Sequence, residues 1–241
     1  MNRIWLAALW ATATATATAT TAADLAPVVG DSAAPPAPWH FAGLPQQSKP
    51  ATRFEVVELE GARVLRIDAD QSYGNLVHPL PAGTRAGTLA WRARIERPLA
   101  APDLTRRSGE DMALRVCASF EMPLSHVPFF ERQWLRVAQS HSDEHLPTAL
   151  LCYVADSVLP AGTLVVSPFT RRMRSIVVAP AALGHWASEE HELGADFLRA
   201  FGDEASNVPA LGAIVVGADA DNTHSHSLAY LSALQHLAPR P

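Results

Sequence analysis

The stretch "MALRVCASFE", residues 112–121, alternates strictly. Met112, Leu114, Val116, Ala118 and Phe120 share one parity, and Arg115, Cys117, Ser119 and Glu121 share the other. Side chains on a strand point alternately to its two faces, so this period of two predicts a strand with one apolar and one more polar face. "TLAWRARIE", residues 88–96, repeats the pattern, with Leu89, Trp91, Ala93 and Ile95 set against Arg92 and Arg94. Outward from these two runs, most of the chain is short apolar segments punctuated by Gly, Pro, Asp and Asn. "RFEVVEL", "RVLRIDA", "NLVHPL", "TALLCYVAD", "MRSIVVA", "HWASEEHEL", "GAIVVGA" and "SLAYLSAL" all read as strands. Their density, without βαβ alternation, predicts an all-β, mainly antiparallel sandwich. Two short helices interrupt it. "PFFERQWLRVAQSH" spaces Phe130, Trp134, Val137 and Ala138 along one helical face, expected to pack inward, and "GADFLRAFG" closes on Gly202.

The ends of the chain read differently. "MNR" followed by the uncharged "IWLAALWATATATATAT" and the small residues "TAA" has the form of a secretory signal peptide over residues 1–23. No further membrane-spanning segment follows it, so the mature protein is expected to be periplasmic or secreted. Residues 24–38 are rich in Ala and Pro and read as a linker, leaving a single domain over residues 39–241. The oxidising compartment permits a bridge between Cys117 and Cys152. Spacing alone does not place their Cα atoms in range, so buried free thiols are the simpler expectation and a disulfide the alternative.

Bulk composition narrows function. The 241 residues are 48% hydrophobic with mean hydropathy near zero, enough for a substantial core. Net charge is −5, which argues against a nucleic-acid partner. Lys49 is the one lysine, so cationic groups here are guanidinium forks.

"GADADNT", residues 217–223, follows an apolar strand and admits several chemistries. Asp-x-Asp at a strand end is the nucleophile motif of haloacid-dehalogenase-like phosphatases, but the 18 residues after Thr223 contain no Lys, Asp or Glu to complete that site. An EF-hand fails because His224 and Tyr230 stand where Gly and Glu are needed. Two readings remain: a turn capped by Asp and Asn, or an irregular calcium site using Asp219, Asp221 and Thr223. His224, His226 and His236 lack the partners of a transition-metal site and read as loop or surface histidines.

Several stretches in order resemble one bacterial family, catalogued as domain of unknown function 3047. They are "KPATRFEVVELEGARVLRIDADQSYGNL", "WRARI", "GEDMALRV", "LCYVAD", "GHWASEEHELGADFLRAFG" and "DADNT", spanning about residues 39–237. The resemblance implies a secreted domain with a jelly-roll, galactose-binding-like sandwich, and no established activity. Departures are Glu110 for an Asp, Ala155 for a Trp, and His191-Glu192 where the family has Arg-Asn. If that Arg-Asn pair binds an anion, this chain has an altered site.

Three functions compete. The first is a non-catalytic binding module for a carbohydrate or envelope polysaccharide, with ligand-contacting candidates Tyr73, Arg92, Arg94, Asp111, Trp186, Glu190, Asp219, Asp221 and Asn222. In "WASEEHE", Glu190 shares parity with Trp186 and is expected on the buried or cleft side. The second is a polysaccharide hydrolase or lyase with Glu190 and Asp219 or Asp221 as acid and base. The third is an envelope structural protein that binds a partner through the Phe129–Ala138 helix. No nucleophile elbow, P-loop, dinucleotide fingerprint or zinc motif is present, which ranks binding first. No cofactor is expected, calcium excepted.

Overall fold

The computed structural model describes residues 25–44, 46–140 and 146–239; the expected signal peptide, residues 1–23, lies outside them. In chain order the elements are β1 (His40–Ala42), β2 (Arg53–Leu59), β3 (Ala62–Asp70), β4 (Tyr73–Thr84), β5 (Thr88–Arg97), β6 (Met112–Phe120), α1 (Phe129–Gln139), β7 (Ala149–Ala155), β8 (Leu164–Val166), β9 (Met173–Val178), β10 (Ala187–Glu192), α2 (Leu193–Phe201), β11 (Leu211–Asp219) and β12 (His226–Leu237). Seven strands form one sheet in the order β1-β4-β11-β6-β7-β9-β8, and five form the other, β10-β5-β12-β3-β2. Every pairing of named strands is antiparallel except β7 with β9. The protein is a jelly-roll-type β-sandwich carrying two short helices, as the alternating runs predict.

The core lies between the sheets. Leu114, Val116, Ala118 and Phe120 of β6 meet Leu65 and Ile67 of β3, Leu89 and Trp91 of β5, and Ala229 and Leu231 of β12 in one buried cluster. α2 closes one side of it with Phe197 and Phe201, and Phe197 packs 4.5 Å, ring to ring, from Phe120. Met112 departs from the expected parity. The β6–β11 register shifts between Gly217 and Asp219, and Met112 turns to a second cluster on the outer face of the seven-stranded sheet. Cys117, Cys152, Val154, Val177 and Val215 belong to that cluster, under Leu104 and Val165. The outer face is therefore not a plain solvated one: β7 is apolar on both parities, and an apolar cluster is buried on it.

Cys117 and Cys152 face each other across β6 and β7 and form a disulfide, correcting the expectation of free thiols. Strand register, which the spacing does not reveal, brings them opposite. Residues 25–38 are likewise no free linker. Leu25 and Val28 are buried, the Ala26 N–H donates to His78 Nε2 (2.9 Å), Trp39 Nε1 donates to the Ala26 carbonyl (2.9 Å), and Val56 N–H donates to the Ala33 carbonyl (2.6 Å). A Pro-rich stretch can lie extended on a surface when a few apolar side chains anchor it.

Helix α1 seats the opposite face from the one its apolar spacing suggests. Leu135 is its buried residue, while Phe130, Trp134 and Val137 are 85%, 58% and 61% exposed. On the inner side Glu131 also lies 2.6 Å from Arg172 of the loop before β9.

Candidate functional site

Three of the seven strands of the larger sheet, β4, β6 and β11, end in polar residues at the same place. β4 begins with Tyr73 and Asn75, β6 begins after Glu110 and Asp111, and β11 ends in Asp219. Arg115 lies flat across this junction. Its Nη1 donates to Asp219 Oδ2 (2.8 Å), its Nε and Nη2 donate to Asn75 Oδ1 (3.2 and 2.8 Å), and its guanidinium stacks 5.1 Å over the Tyr73 ring. Asn75 Nδ2 in turn donates to the Tyr73 hydroxyl (3.2 Å). A side chain at Gly217 would fall on Asn75 Oδ1 and Arg115 Nε, so the glycine before "ADADNT" leaves room for this network. Burial works against the Arg115 charge, but Asp219, Tyr73 and Glu110 together more than offset it and hold the guanidinium above its ordinary range. Burial lifts the Asp219 carboxyl, against the pull of Arg115.

"DADNT" is a capped turn joining the two sheets. Asp111 Oδ1 accepts from the Asn222 backbone N–H (3.2 Å) and from Asn222 Nδ2 (3.1 Å); Oδ2 accepts from the N–H and hydroxyl of Thr223 (both 2.6 Å). Asp219 Oδ1 accepts from Met112 N–H (2.8 Å). Asp221 is paired with Lys49 at 3.4 Å. Oxygens of Asp111, Asp219 and Asp221 do lie within 4.8 Å of one another. Donors from the turn engage both oxygens of Asp111, and the Met112 N–H and Arg115 engage those of Asp219.

Glu110 sits beside this cluster, 6% exposed. Burial pushes its pKa up to about 7; the Ser167 hydroxyl and Arg115 pull it down, while Asp219 and Asp111 push it further up. An acid whose folded pKa exceeds its unfolded value binds more protons when native, so stability falls as pH rises between the two and levels off above. The window runs from about 4.5 to about 7, and the full effect is about 3 kcal/mol. Glu110→Gln should flatten this part of the stability profile and leave the variant more stable than the parent at pH 8. Urea unfolding at several pH values checks it; an unchanged profile would mean that Glu110 ionises freely.

Beyond Arg115 the same face opens into a cleft of about 250 Å³. Tyr73, Asn75, Arg115 and Ser119 supply its polar floor, Ala42 to Leu44 one bank, and Trp134 and Arg172 the other. Arg172 donates to both oxygens of Glu204 (2.6 and 2.8 Å) and to the Thr148 carbonyl (3.2 Å).

The sequence-derived candidates thus fall into two groups. Tyr73, Asp111, Asp219, Asp221, Asn222 and Thr223 come together at the Arg115 junction, and of these Tyr73 reaches the cleft. Arg92, Arg94, Trp186 and Glu190 lie with the five-stranded sheet, where Arg92 stacks on Trp186 (5.3 Å) and Arg94 pairs with Glu60 (2.6 Å) and Glu96 (2.8 Å). The expected inward position of Glu190 is corrected. β10 pairs Glu189 with Trp91 and Glu190 with Ala90, so the buried Trp91 draws Glu189 inward and leaves Glu190 exposed. Glu190 therefore does not pair with Asp219 or Asp221 as acid and base. His191, on the inward parity, stacks on Tyr153 (4.0 Å) and Trp91 (5.3 Å), with Glu189 3.0 Å from Nε2. The Tyr153 hydroxyl donates to Asp196 (2.8 Å), and burial together with Asp196 pushes that phenol up. Asn75, Arg115, Ser119, Trp134 and Arg172 were not among the candidates. The outward parity of Arg115 and Ser119 was the available signal for the floor.

Two solved structures illustrate what the fold is similar to. The xyloglucanase domain of NopAA, a type three effector from Sinorhizobium fredii in complex with cellobiose, aligns at 9% identity over 83% of this chain and 92% of its own, with a TM-score of 0.44. Trichoderma harzianum endoglucanase 3 of family GH12 aligns at 11% identity over 85% and 99%, with a TM-score of 0.37. No curated protein matches the sequence. The family whose sequence model spans residues 37–235 is described as a protein of unknown function, DUF3047, and this chain belongs to it.

Proposed function

We propose that the protein is a periplasmic or secreted carbohydrate-binding module, and that the ligand lies in the cleft on the outer face of the seven-stranded sheet. One observation carries the reading. Trp134 stands 58% exposed at the bank of a groove whose floor holds Tyr73, Asn75, Arg115 and Ser119. An exposed aromatic face beside fixed polar groups suits a sugar ring, which offers C–H groups to the aromatic and hydroxyls to the floor. At about 250 Å³ the groove is open and smaller than an enclosing pocket of about 300–1,000 Å³, as suits a few rings of a longer chain.

Binding is favoured over hydrolysis because Asp111 and Asp219 are both engaged by internal donors. Binding should also proceed without calcium, and its loss on adding a chelator would restore the ion. Trp134→Ala is expected to weaken binding by about ten-fold or more while leaving the melting temperature nearly unchanged, since the ring contributes little to the core. A glycan array followed by calorimetry on the best ligand tests this. Undiminished binding in a folded Trp134→Ala variant would remove the cleft from consideration.

A further inference from the structure

We infer that the cleft takes neutral saccharides and turns away acidic ones. The inference rests on the binding reading above and specifies its ligand class. Arginines in a groove ordinarily suggest a carboxylate, sulfate or phosphate ligand, because the guanidinium fork matches those anions. Here both lining arginines are already matched. Arg115 directs Nε, Nη1 and Nη2 at Asn75 and Asp219; Arg172 donates from Nη1 and Nη2 to Glu204 and the Thr148 carbonyl, and its Nε lies 2.6 Å from Glu131 as a charge pair. Each is nearly fully buried at its side chain, 3% exposed. The wider network closes on itself. Arg174 pairs with Asp203 (2.7 Å) and with Glu204, and Arg171 reaches Glu131 (3.2 Å) and Asp203 (3.8 Å). Four guanidiniums therefore meet four carboxylates, Asp219, Glu131, Glu204 and Asp203. Asp111 and Glu110 lie behind Arg115 and add no positive charge.

An anionic sugar entering this groove would find Arg115 and Arg172 buried and paired with carboxylates that lie outside the lining. Displacing one of them would leave a buried charge unpaired, which costs several kcal/mol. What the lining still offers is neutral: the Tyr73, Ser119 and Thr170 hydroxyls and the Trp134 ring. Those groups suit the hydroxyls and apolar faces of an uncharged hexose or pentose polymer.

Affinity electrophoresis of the mature chain, residues 24–241, tests this in native gels holding a neutral polysaccharide (hydroxyethyl cellulose, mixed-linkage glucan or galactomannan) or an acidic one (polygalacturonate or alginate), at low and high ionic strength. Retardation is expected in at least one neutral gel, insensitive to salt, with affinity for the acidic polymers weaker by about ten-fold or more. Glu131→Gln should narrow that difference by unbalancing the cleft network. Glu58→Gln, an exposed change of the same charge on the other sheet, should not, which separates the cleft from the overall charge of −5. Equal or stronger retardation by an acidic polymer would overturn the inference while leaving the binding reading standing. The same effect from both variants would also overturn it. Retardation in none of the gels would sink the binding reading, and this inference with it.

Discussion

Asp219→Ala is expected to destabilise the protein by about 3–5 kcal/mol, the cost of leaving a buried charge without its partner. Arg115 is 3% exposed and Asp219 8% at their side chains, so water cannot replace the lost carboxylate. The same change removes the acceptor for the Met112 N–H, at the point where β6 begins. For a domain of this size about 3–5 kcal/mol lowers the melting temperature by roughly 10 °C. The network makes a sharper test possible. A double change to apolar residues of similar volume, Arg115→Met with Asp219→Leu, should recover much of the loss, because a buried pair contributes little net stability over a well-packed apolar replacement. Thermal melts of the parent, the single and the double variant decide the matter. A single variant within 1 kcal/mol of the parent would show that the junction is hydrated, contrary to the geometry.

The second large effect concerns the disulfide. Cys117 and Cys152 are separated by 35 residues, and a closed loop of that length restricts the unfolded chain by about 3–4 kcal/mol in the chain-entropy description. Replacing both with Ala should lower stability by at least that much, since both sulfurs are 0% exposed and their removal also empties part of the outer-face cluster. Burial carries a kinetic corollary. Reductant added to the native protein should leave the bridge intact, while reductant with denaturant should break it. Thiol counting under the two conditions, beside urea unfolding of the double variant, is sufficient. Rapid reduction of the native protein would show that the loop carrying Leu104 and the edge strand β8 open readily.

Both expectations rest on the outer face of the seven-stranded sheet, and that is where sequence reasoning reached least far. In "MALRVCASFE" the inward set Leu114, Val116, Ala118 and Phe120 was legible, because apolar side chains at a period of two have one way to be buried. The outward set was legible only as more polar. That Arg115 finds Asp219 and Asn75, or that Cys117 finds Cys152, depends on which strands are neighbours, and antiparallel strands far apart in sequence give no local sign of their partner. Glu190 failed for the same reason. Its parity relative to Trp186 was countable, but the true reference was Trp91 on β5, 99 positions earlier. Trp134 failed differently: an apolar helical stripe ordinarily faces the core, and here Leu135 takes the buried side of α1 and leaves Trp134 at the cleft.

The sequence by itself determined the two-faced strands and the two helices, which are set by neighbours a few positions away, and it marked the turn in "DADNT" and the order of motifs of the family; that Asp111 caps that turn, 111 positions before Asn222, it did not show. Tertiary structure alone decided the disulfide, the docking of residues 25–38 and the convergence of Tyr73, Asn75, Arg115 and Trp134 on one cleft. Those contacts join residues tens of positions apart, and only the closing of two sheets around a shared core brings them within reach.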